Sequence, residues 1–177
     1  GLRAMGAEID ISPQRFRATT DRLVGTRHRL PYPSVGAPEN LILAAVTARG
    51  TTVIENAAME PEVIDLVLFL QKMGANIAVD IDRHIMIQGV DRLGGATHRV
   101  IEDRIEIASY AAAAVATGGD VEVLGAQQEH LLTFLNALRR VGGNFEVHDR
   151  GIRFWAEGPL TAHHLETDVH PGFMTDW

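Results

Sequence analysis

The chain has 177 residues, of which 46% are hydrophobic and 22% charged, a composition that is ordinary for soluble globular proteins of one domain or two small ones. Its formal net charge of −7 argues against non-specific nucleic-acid binding, which requires a basic face. The absence of cysteine excludes disulfides, thiolate metal sites and cysteine nucleophiles, and it fits a cytoplasmic protein. No apolar run approaches the roughly 18 residues of a membrane span.

The first part of the chain is predicted to contain short strands followed by a helix. Three segments have the alternating or proline-bounded pattern of extended chain: residues 7–12, their hairpin partner 15–19, and residues 26–31. Ser34 or Gly36 is predicted to begin a helix, because both residue types are common at helix N-caps and an apolar run follows. Pro38 is compatible with the first turn of that helix.

The next segments continue this alternation of strands and helices. Residues 51–56 alternate as a strand does, and Pro61 between two glutamates is typical of a helix start. The buried stripe of this second helix is predicted to consist of Val63, Leu66, Val67 and Leu70. After Gly74, two hairpin strands are predicted at residues 76–81 and 84–88.

The same order of elements then recurs. The predicted elements are an extended segment at 97–101, a helix at 103–117, a strand at 120–124, a helix at 128–141, hairpin strands at 144–148 and 151–156, and an extended segment at 163–169. Each cycle is therefore predicted to run strand, helix, strand, helix, strand, strand.

Three glycines mark the period of this repetition. Gly6, Gly74 and Gly142 each follow a helical pattern and precede a strand, and they are spaced 68 residues apart. A helix often ends at a residue that tolerates positive φ, which glycine supplies. The sequence therefore predicts an α/β (α+β) chain of repeated βαβαββ units, about two and a half of them. We expect the chain to be part of a longer repeat protein.

Four motifs occur in the order and spacing of one protein family. They are SVGAPEN at residues 34–40, GTTVIENAAMEPE at 50–62, DRIE at 103–106 and HPGFMTD at 170–176. On these motifs the chain resembles the UDP-N-acetylglucosamine 1-carboxyvinyltransferases, the enolpyruvyl transferases of bacterial peptidoglycan synthesis, over nearly all of its length. It is similar, more distantly, to the shikimate-pathway enolpyruvyl transferase. The resemblance implies an inside-out α/β barrel, with residues 1–100 in one domain and 101–177 in the next.

The resemblance also implies a reaction. The enolpyruvyl group of phosphoenolpyruvate would be transferred to the 3-hydroxyl of UDP-N-acetylglucosamine with release of phosphate, and no cofactor is implied. That chemistry requires a base for the hydroxyl, a proton donor to the enol methylene, and cations for the phosphate. Asp176 matches the family's proposed base, and Thr175 matches a sugar-nucleotide contact.

Other substrate contacts are implied at two places in the chain. Ser34, Val35 and Gly36 match a loop that holds the diphosphate, where a hydroxyl and backbone N–H groups at a helix N-terminus would bind an anion. The remaining candidates are Tyr32 beside that loop, His170 near the sugar, and Asp103 and Arg104 at the domain junction. For the last two, ordinary helix-start charges are an equally good interpretation.

Several positions depart from the family pattern. Tyr32 stands where many members carry a lysine, Met59 replaces a usual arginine, and Glu102 and Met174 replace usual prolines. These differences leave open a divergent enolpyruvyl transferase that acts on another nucleotide. The family's general acid and its phosphoenolpyruvate-binding arginines and lysine have no counterpart here, so the chain alone is expected to have no turnover.

A hypothesis of another class also remains open. A non-catalytic repeat domain would associate with a second copy through exposed helix faces, as repeat units without caps tend to do. A metal site is not predicted from His163, His164 and His170, because adjacent side chains on a strand point to opposite faces and no carboxylate lies at ligand spacing. Glu60 and Glu62 fit helix-start charges better than catalytic groups.

Overall fold

The computed structural model describes all 177 residues, and these form two compact units, Gly1–Val100 and Ile101–Trp177. The elements of the first unit are β1 (Glu8–Ser12), β2 (Arg15–Thr19), β3 (Arg27–Arg29), α1 (Gly36–Ala45), β4 (Thr51–Glu55), α2 (Pro61–Lys72), β5 (Asn76–Asp80) and β6 (His84–Gln88). All of them agree in type with the sequence prediction.

The strands of the first unit form two separate sheets. β1 and β2 pair as an antiparallel hairpin, and the other four strands form a sheet in the order β3-β4-β6-β5. β3 and β4 are parallel, whereas the remaining pairs are antiparallel. Because parallel strands require a crossover connection, α1 lies between β3 and β4 in the chain. Alternate residues of β4 and β6 are buried: Thr52, Ile54, Ile85 and Ile87.

The core of the first unit lies between this sheet and its two helices. The helices contribute residues at helical spacing, namely Leu41, Ile42 and Ala45 from α1 and Val63, Val67 and Leu70 from α2. Pro61 occupies the start of α2 as the sequence predicts, because its missing N–H is not needed there.

The second unit combines two helices with a three-stranded sheet. Its elements are α3 (Arg104–Thr117), β7 (Asp120–Leu124), a 3₁₀ turn (Gln128–His130), α4 (Leu132–Arg140), β8 (Gly143–His148) and β9 (Gly151–Ala156). The strand order is β7-β9-β8, and both pairs are antiparallel. A second apolar core forms on this sheet and includes Ile107, Ala111, Leu135, Ile152 and Phe154.

The repetition predicted from the three glycines is visible in the backbone. Gly6, Gly74 and Gly142 have φ values of 94°, 98° and 98°. Each also donates its N–H to the carbonyl three residues earlier, at 3.0, 2.9 and 3.1 Å respectively. The same turn therefore recurs every 68 residues, and it ends a helical segment in each case.

Three predicted segments differ from the structure. Residues 97–101 and 163–169 form no strand, because an extended segment joins a sheet only where a neighbouring strand can complete its hydrogen bonds. The single helix predicted at 128–141 is instead a 3₁₀ turn followed by α4. Leu131 separates the two with φ −124° and ψ 8°, and its side chain is fully buried.

Candidate functional site

The first group of candidate residues surrounds the start of α1. The helix begins at Gly36, and Val35 before it already has helical angles. Of the two starts predicted from the sequence, Gly36 is confirmed, whereas Ser34 neither begins nor caps the helix, since no side chain caps α1. Ser34 instead donates its backbone N–H to the carbonyl of Tyr32 at 2.9 Å, which turns the chain just before the helix. The exposed Ser34 hydroxyl is therefore not committed to the helix end.

The first turn of α1 offers backbone donors without a basic side chain nearby in sequence. The first N–H groups of a helix have no carbonyl partner within it, and here they belong to Gly36 and Ala37, whereas Pro38 has none. The side-chain amide of Asn40 donates to the Gly36 carbonyl at 2.7 Å and steadies this turn. Tyr32 lies exposed two residues before the turn-forming Ser34. This end of α1 can bind an anion through its N–H groups.

Glu39 in the same turn lowers the positive potential there. Burial and the nearby carboxylate of Glu62 on α2 raise the pKa of Glu39 above its ordinary value. The N-termini of α1 and α2 therefore place two carboxylates close enough to repel each other. This negative charge opposes the binding of an anion at the start of α1.

The start of α3 is built differently from the start of α1. The Oδ1 atom of Asp103 accepts hydrogen bonds from the backbone N–H groups of Ile105, at 2.8 Å, and Glu106, at 3.3 Å. The carboxylate is thus the N-cap of α3, a more specific role than the helix-start charge considered from the sequence. Since Asp103 occupies these donors itself, they are not available to an anionic ligand.

The second group of candidate residues lies around the buried side chain of Arg104. Its side chain is almost completely buried, and its guanidinium carbon lies 5.5 Å from the ring centroid of Trp177. One of its nitrogens, Nη1, contacts the sulfur of Met174 at 2.6 Å. Trp177 also packs edge-on against Phe134 of α4 and Phe173, with centroid distances of 5.8 and 5.4 Å. Arg104 and the aromatic rings therefore hold residues 173–177 against the helices of this unit.

The segment that carries Thr175 and Asp176 is fixed at further points. Thr133 of α4 donates its hydroxyl to the carbonyl of Gly172 at 3.3 Å, and the N–H of Asp168 donates to the carbonyl of Phe173 at 2.8 Å. His170 is half-buried within this fold of the chain, whereas Thr175 and Asp176 are exposed. The anchored segment therefore leaves the Asp176 carboxylate exposed, where a ligand hydroxyl could reach it.

The candidate residues thus form two groups, one in each unit. Tyr32, Ser34, Val35 and Gly36 are together at the start of α1. Asp103 and Arg104 are at the start of α3, and the remaining candidates, His170, Thr175 and Asp176, are on the C-terminal segment that Arg104 contacts at Met174 and Trp177. Sequence reasoning missed Trp177 and Phe134 as the supports of the second group. The aromatic residue directly after Asp176 was the signal that could have revealed the first of them.

The chain has neither a metal-binding cluster nor a membrane-spanning helix. No group of three or more histidine, aspartate or glutamate side chains is arranged to hold a metal ion. None of the helices has the length and apolar character that crossing a membrane requires.

Comparison with known proteins identifies close sequence relatives. The chain is 54% identical to the UDP-N-acetylglucosamine 1-carboxyvinyltransferase of Protochlamydia amoebophila, over 99% of this chain and 39% of that protein. It is 52% identical to the protein of the same name from Chlamydia pneumoniae, and 48% identical to that from Sphingopyxis alaskensis. These alignments cover 100% and 99% of this chain. The chain spans 39–42% of the length of these curated relatives.

Solved structures share the fold at low sequence identity. The enolpyruvyl transferase NikO from Streptomyces tendae has a TM-score of 0.82 at 21% identity, over 98% of this chain and 45% of that one. An EPSP synthase from Acinetobacter baumannii has a TM-score of 0.67 at 20% identity, over 88% of this chain and 38% of that one. The chain therefore has the α/β fold of the enolpyruvyl transferases, which confirms the predicted fold class.

A family model provides the last comparison. The model described as EPSP synthase (3-phosphoshikimate 1-carboxyvinyltransferase) matches residues 1–177. Together with the relatives above, this match confirms the resemblance inferred from the four sequence motifs. The chain belongs to the EPSP synthase (3-phosphoshikimate 1-carboxyvinyltransferase) family.

Proposed function

We propose that this chain is part of an enolpyruvyl transferase that joins phosphoenolpyruvate to the 3-hydroxyl of UDP-N-acetylglucosamine, as in peptidoglycan synthesis. The observation that carries the proposal is the 48–54% identity, over essentially the whole chain, to proteins named UDP-N-acetylglucosamine 1-carboxyvinyltransferase. In this reaction the sugar hydroxyl oxygen bonds to C2 of phosphoenolpyruvate, and the methylene carbon gains a proton. Loss of a proton from that carbon and of phosphate from C2 then yields the enolpyruvyl ether.

In this proposal each candidate group has a separate task. The N–H groups of Gly36 and Ala37, with the hydroxyl of Ser34, hold the diphosphate of the nucleotide. Asp176 accepts the proton of the sugar hydroxyl, and Thr175 contacts the sugar nucleotide. The buried Arg104 and the aromatic cluster support this position of Asp176. The group that protonates the methylene carbon is not assigned within this chain.

A segment replacement tests the reaction. The matching segment of the Protochlamydia amoebophila relative is exchanged for these 177 residues, and phosphate release is measured with both substrates. We expect the chimera to release phosphate only when both are present. We expect Asp176→Asn in the chimera to lower kcat by at least about a hundredfold, because general-base catalysis is typically worth that much. Asp149→Asn, at an exposed turn between β8 and β9, is the matched control and should change little.

Two results would contradict the proposal. The first is an inactive chimera in an assay where the unmodified relative turns over. The second is an Asp176→Asn variant as active as Asp149→Asn. Competition between UDP-N-acetylglucosamine and UMP for the chimera tests the acceptor: stronger binding of the sugar nucleotide supports it, and equal binding favours another nucleotide acceptor.

We also propose that the isolated chain associates with a second copy. Ile11 and Phe16 are paired across the β1–β2 hairpin, and their side chains are 66% and 61% exposed. Leu43 of α1 and Leu68 of α2 are also about half exposed. Burial of these apolar side chains against a second copy would be favourable in water. Scattering measurements that give a monomer at all accessible concentrations would rule this out.

A further inference from the structure

One cluster of charged side chains lies outside the candidate site and contains a nearly buried histidine. His98 packs against α2 with its Nε2 atom 2.9 Å from Oδ1 of Asp65 and its Nδ1 atom 3.0 Å from Nζ of Lys72. The His98 ring centroid lies 5.2 Å from that of Phe69. The side chains of His98 and Asp65 are only 6% and 11% exposed. The three partners on α2 are spaced four and three residues apart, so they lie on one face of the helix.

The two polar neighbours determine the protonation form of the His98 ring. A lysine ammonium group can only donate hydrogen bonds, so Nδ1 must be the acceptor from Lys72. An ionised carboxylate can only accept, so Nε2 must carry the hydrogen that is donated to Asp65. His98 is therefore a neutral imidazole with its hydrogen on Nε2. Both hydrogen bonds involve a charged partner, which makes them stronger than bonds between neutral groups.

His98 lies in a stretch without regular secondary structure. Residues 91–100, here called the connector, follow β6 and form neither helix nor strand. Leu93 and His98 are the only connector residues that are not exposed. Leu93 packs on the first core, and the N–H of Gly94 donates to the carbonyl of Met73 at 2.7 Å. The connector is thus attached to the end of α2 near Leu93 and to the middle of α2 through His98.

The attachment at His98 is important because two candidate site residues follow it closely in the chain. Asp103, which caps α3, comes five residues later, and Arg104 follows it. We infer that His98 is a positioning residue that holds the connector on α2 and so determines where the chain leaves the first unit on its way to Asp103 and Arg104. The consequence for catalysis rests on the proposed function, whereas the attachment itself does not.

NMR spectroscopy of the 177-residue chain by itself tests the attachment. In a long-range ¹H–¹⁵N NMR spectrum at neutral pH, we expect His98 to show the pattern of a ring with hydrogen on Nε2 and none on Nδ1. Lys72→Met removes the donor to Nδ1 but keeps the aliphatic stem, and it should shift the Nδ1 resonance. A ring with hydrogen on Nδ1, or an Nδ1 resonance that Lys72→Met leaves unchanged, would overturn the inference.

Hydrogen exchange measures whether the attachment restrains the connector. We expect His98→Ala to speed exchange of the Gly94 amide, which donates to the Met73 carbonyl, by about tenfold, because the connector loses its second attachment to α2. His98→Gln can still donate to Asp65, so it should recover part of the protection. The matched control is His164→Ala at an exposed histidine, which should leave exchange of the Gly94 amide unchanged. The inference is wrong if the Gly94 amide exchanges at the same rate in the His98→Ala and His164→Ala variants.

Kinetics in the segment-replacement chimera test the catalytic consequence. We expect His98→Ala to lower kcat/KM about tenfold, since small displacements of substrate-positioning groups are costly, and His98→Gln to recover part of this loss. If the chimera carrying the unaltered segment is itself inactive, the proposed function fails while the NMR and exchange results still decide the attachment. An active chimera that His98→Ala leaves unchanged would overturn the positioning role alone.

Discussion

At the scale of single residues, Glu39 shows two opposing electrostatic effects. The N-terminus of α1 attracts its negative charge, whereas burial and repulsion by Glu62 raise the pKa of Glu39. The pKa is raised, so the unfavourable effects are larger. A carboxyl group with a higher pKa in the folded chain binds a proton more readily there than in the unfolded chain. Its contribution to stability therefore decreases as the pH rises from the ordinary value of 4.5 through the folded value.

We therefore expect Glu39→Gln to stabilise the chain at neutral pH. The amide carries no charge to be desolvated or repelled by Glu62, and the gain should disappear below the ordinary glutamate pKa of 4.5, where Glu39 is protonated in both states. Urea unfolding at pH 4 and pH 7 measures the difference. Glu8→Gln, at an exposed position on β1, is the control. A Glu39→Gln variant that is less stable at pH 7 would show that attraction to the helix end is the larger effect.

Thr52 gives a second prediction at this scale. Its side chain on β4 is 1% exposed, and its hydroxyl has no hydrogen-bond partner in the chain. Replacing a buried unsatisfied hydroxyl with a methyl group removes its desolvation penalty, so Thr52→Val should raise the free energy of unfolding by about 1 kcal/mol. Thr19→Val on the exposed strand β2 should have a much smaller effect. Destabilisation by Thr52→Val would indicate a partner for the hydroxyl.

At the scale of elements, the repeated glycine turns predict how much stability is lost when their glycines are replaced by alanine. Gly74 and Gly142 both have φ of 98°, and no atom lies within 3.4 Å of where a Cβ would be built on either. Alanine at either position therefore suffers mainly from the backbone conformation, and each substitution should cost about 1–2 kcal/mol. Gly158→Ala has open space and no positive φ, and it should be nearly neutral. Unequal costs at Gly74 and Gly142, measured by urea unfolding, would mean that the two turns are not energetically equivalent.

The elements also show which structural features could be predicted from the sequence. The glycine turns and the helix that follows Asp103 were predicted correctly, because they depend on residues close together in the chain. The segments at 97–101 and 163–169 were predicted as extended and form no strand, since a strand depends on a distant partner. Likewise, the contact of Arg104 with Trp177 joins residues far apart in sequence. Of the two starts predicted for α1, Gly36 is confirmed and Ser34 is not, because Val35 between them already has helical angles and no side chain caps the helix.

At the scale of the whole molecule, the chain contains two apolar cores that share no residue. The first includes Leu70 and lies entirely within Gly1–Val100, and the second includes Leu135 and lies entirely within Ile101–Trp177. Both leucines are on helices and are almost completely buried, with 3% and 2% of their surface exposed. They therefore form a matched pair for testing how far the stability of one core depends on the other.

We expect Leu135→Ala and Leu70→Ala each to destabilise its own unit by about 3 kcal/mol, the usual cost of a cavity in a packed core. Amide exchange should then quicken in β7, β8 and β9 for Leu135→Ala, and in β4, β5 and β6 for Leu70→Ala. The strands of the other unit act as the internal control in each experiment, because subglobal opening is confined to the cooperative unit that loses the contacts. If either substitution quickens exchange equally in both sets of strands, the two units unfold as one cooperative structure. Confined effects would mean that each set of candidate residues is supported by its own core.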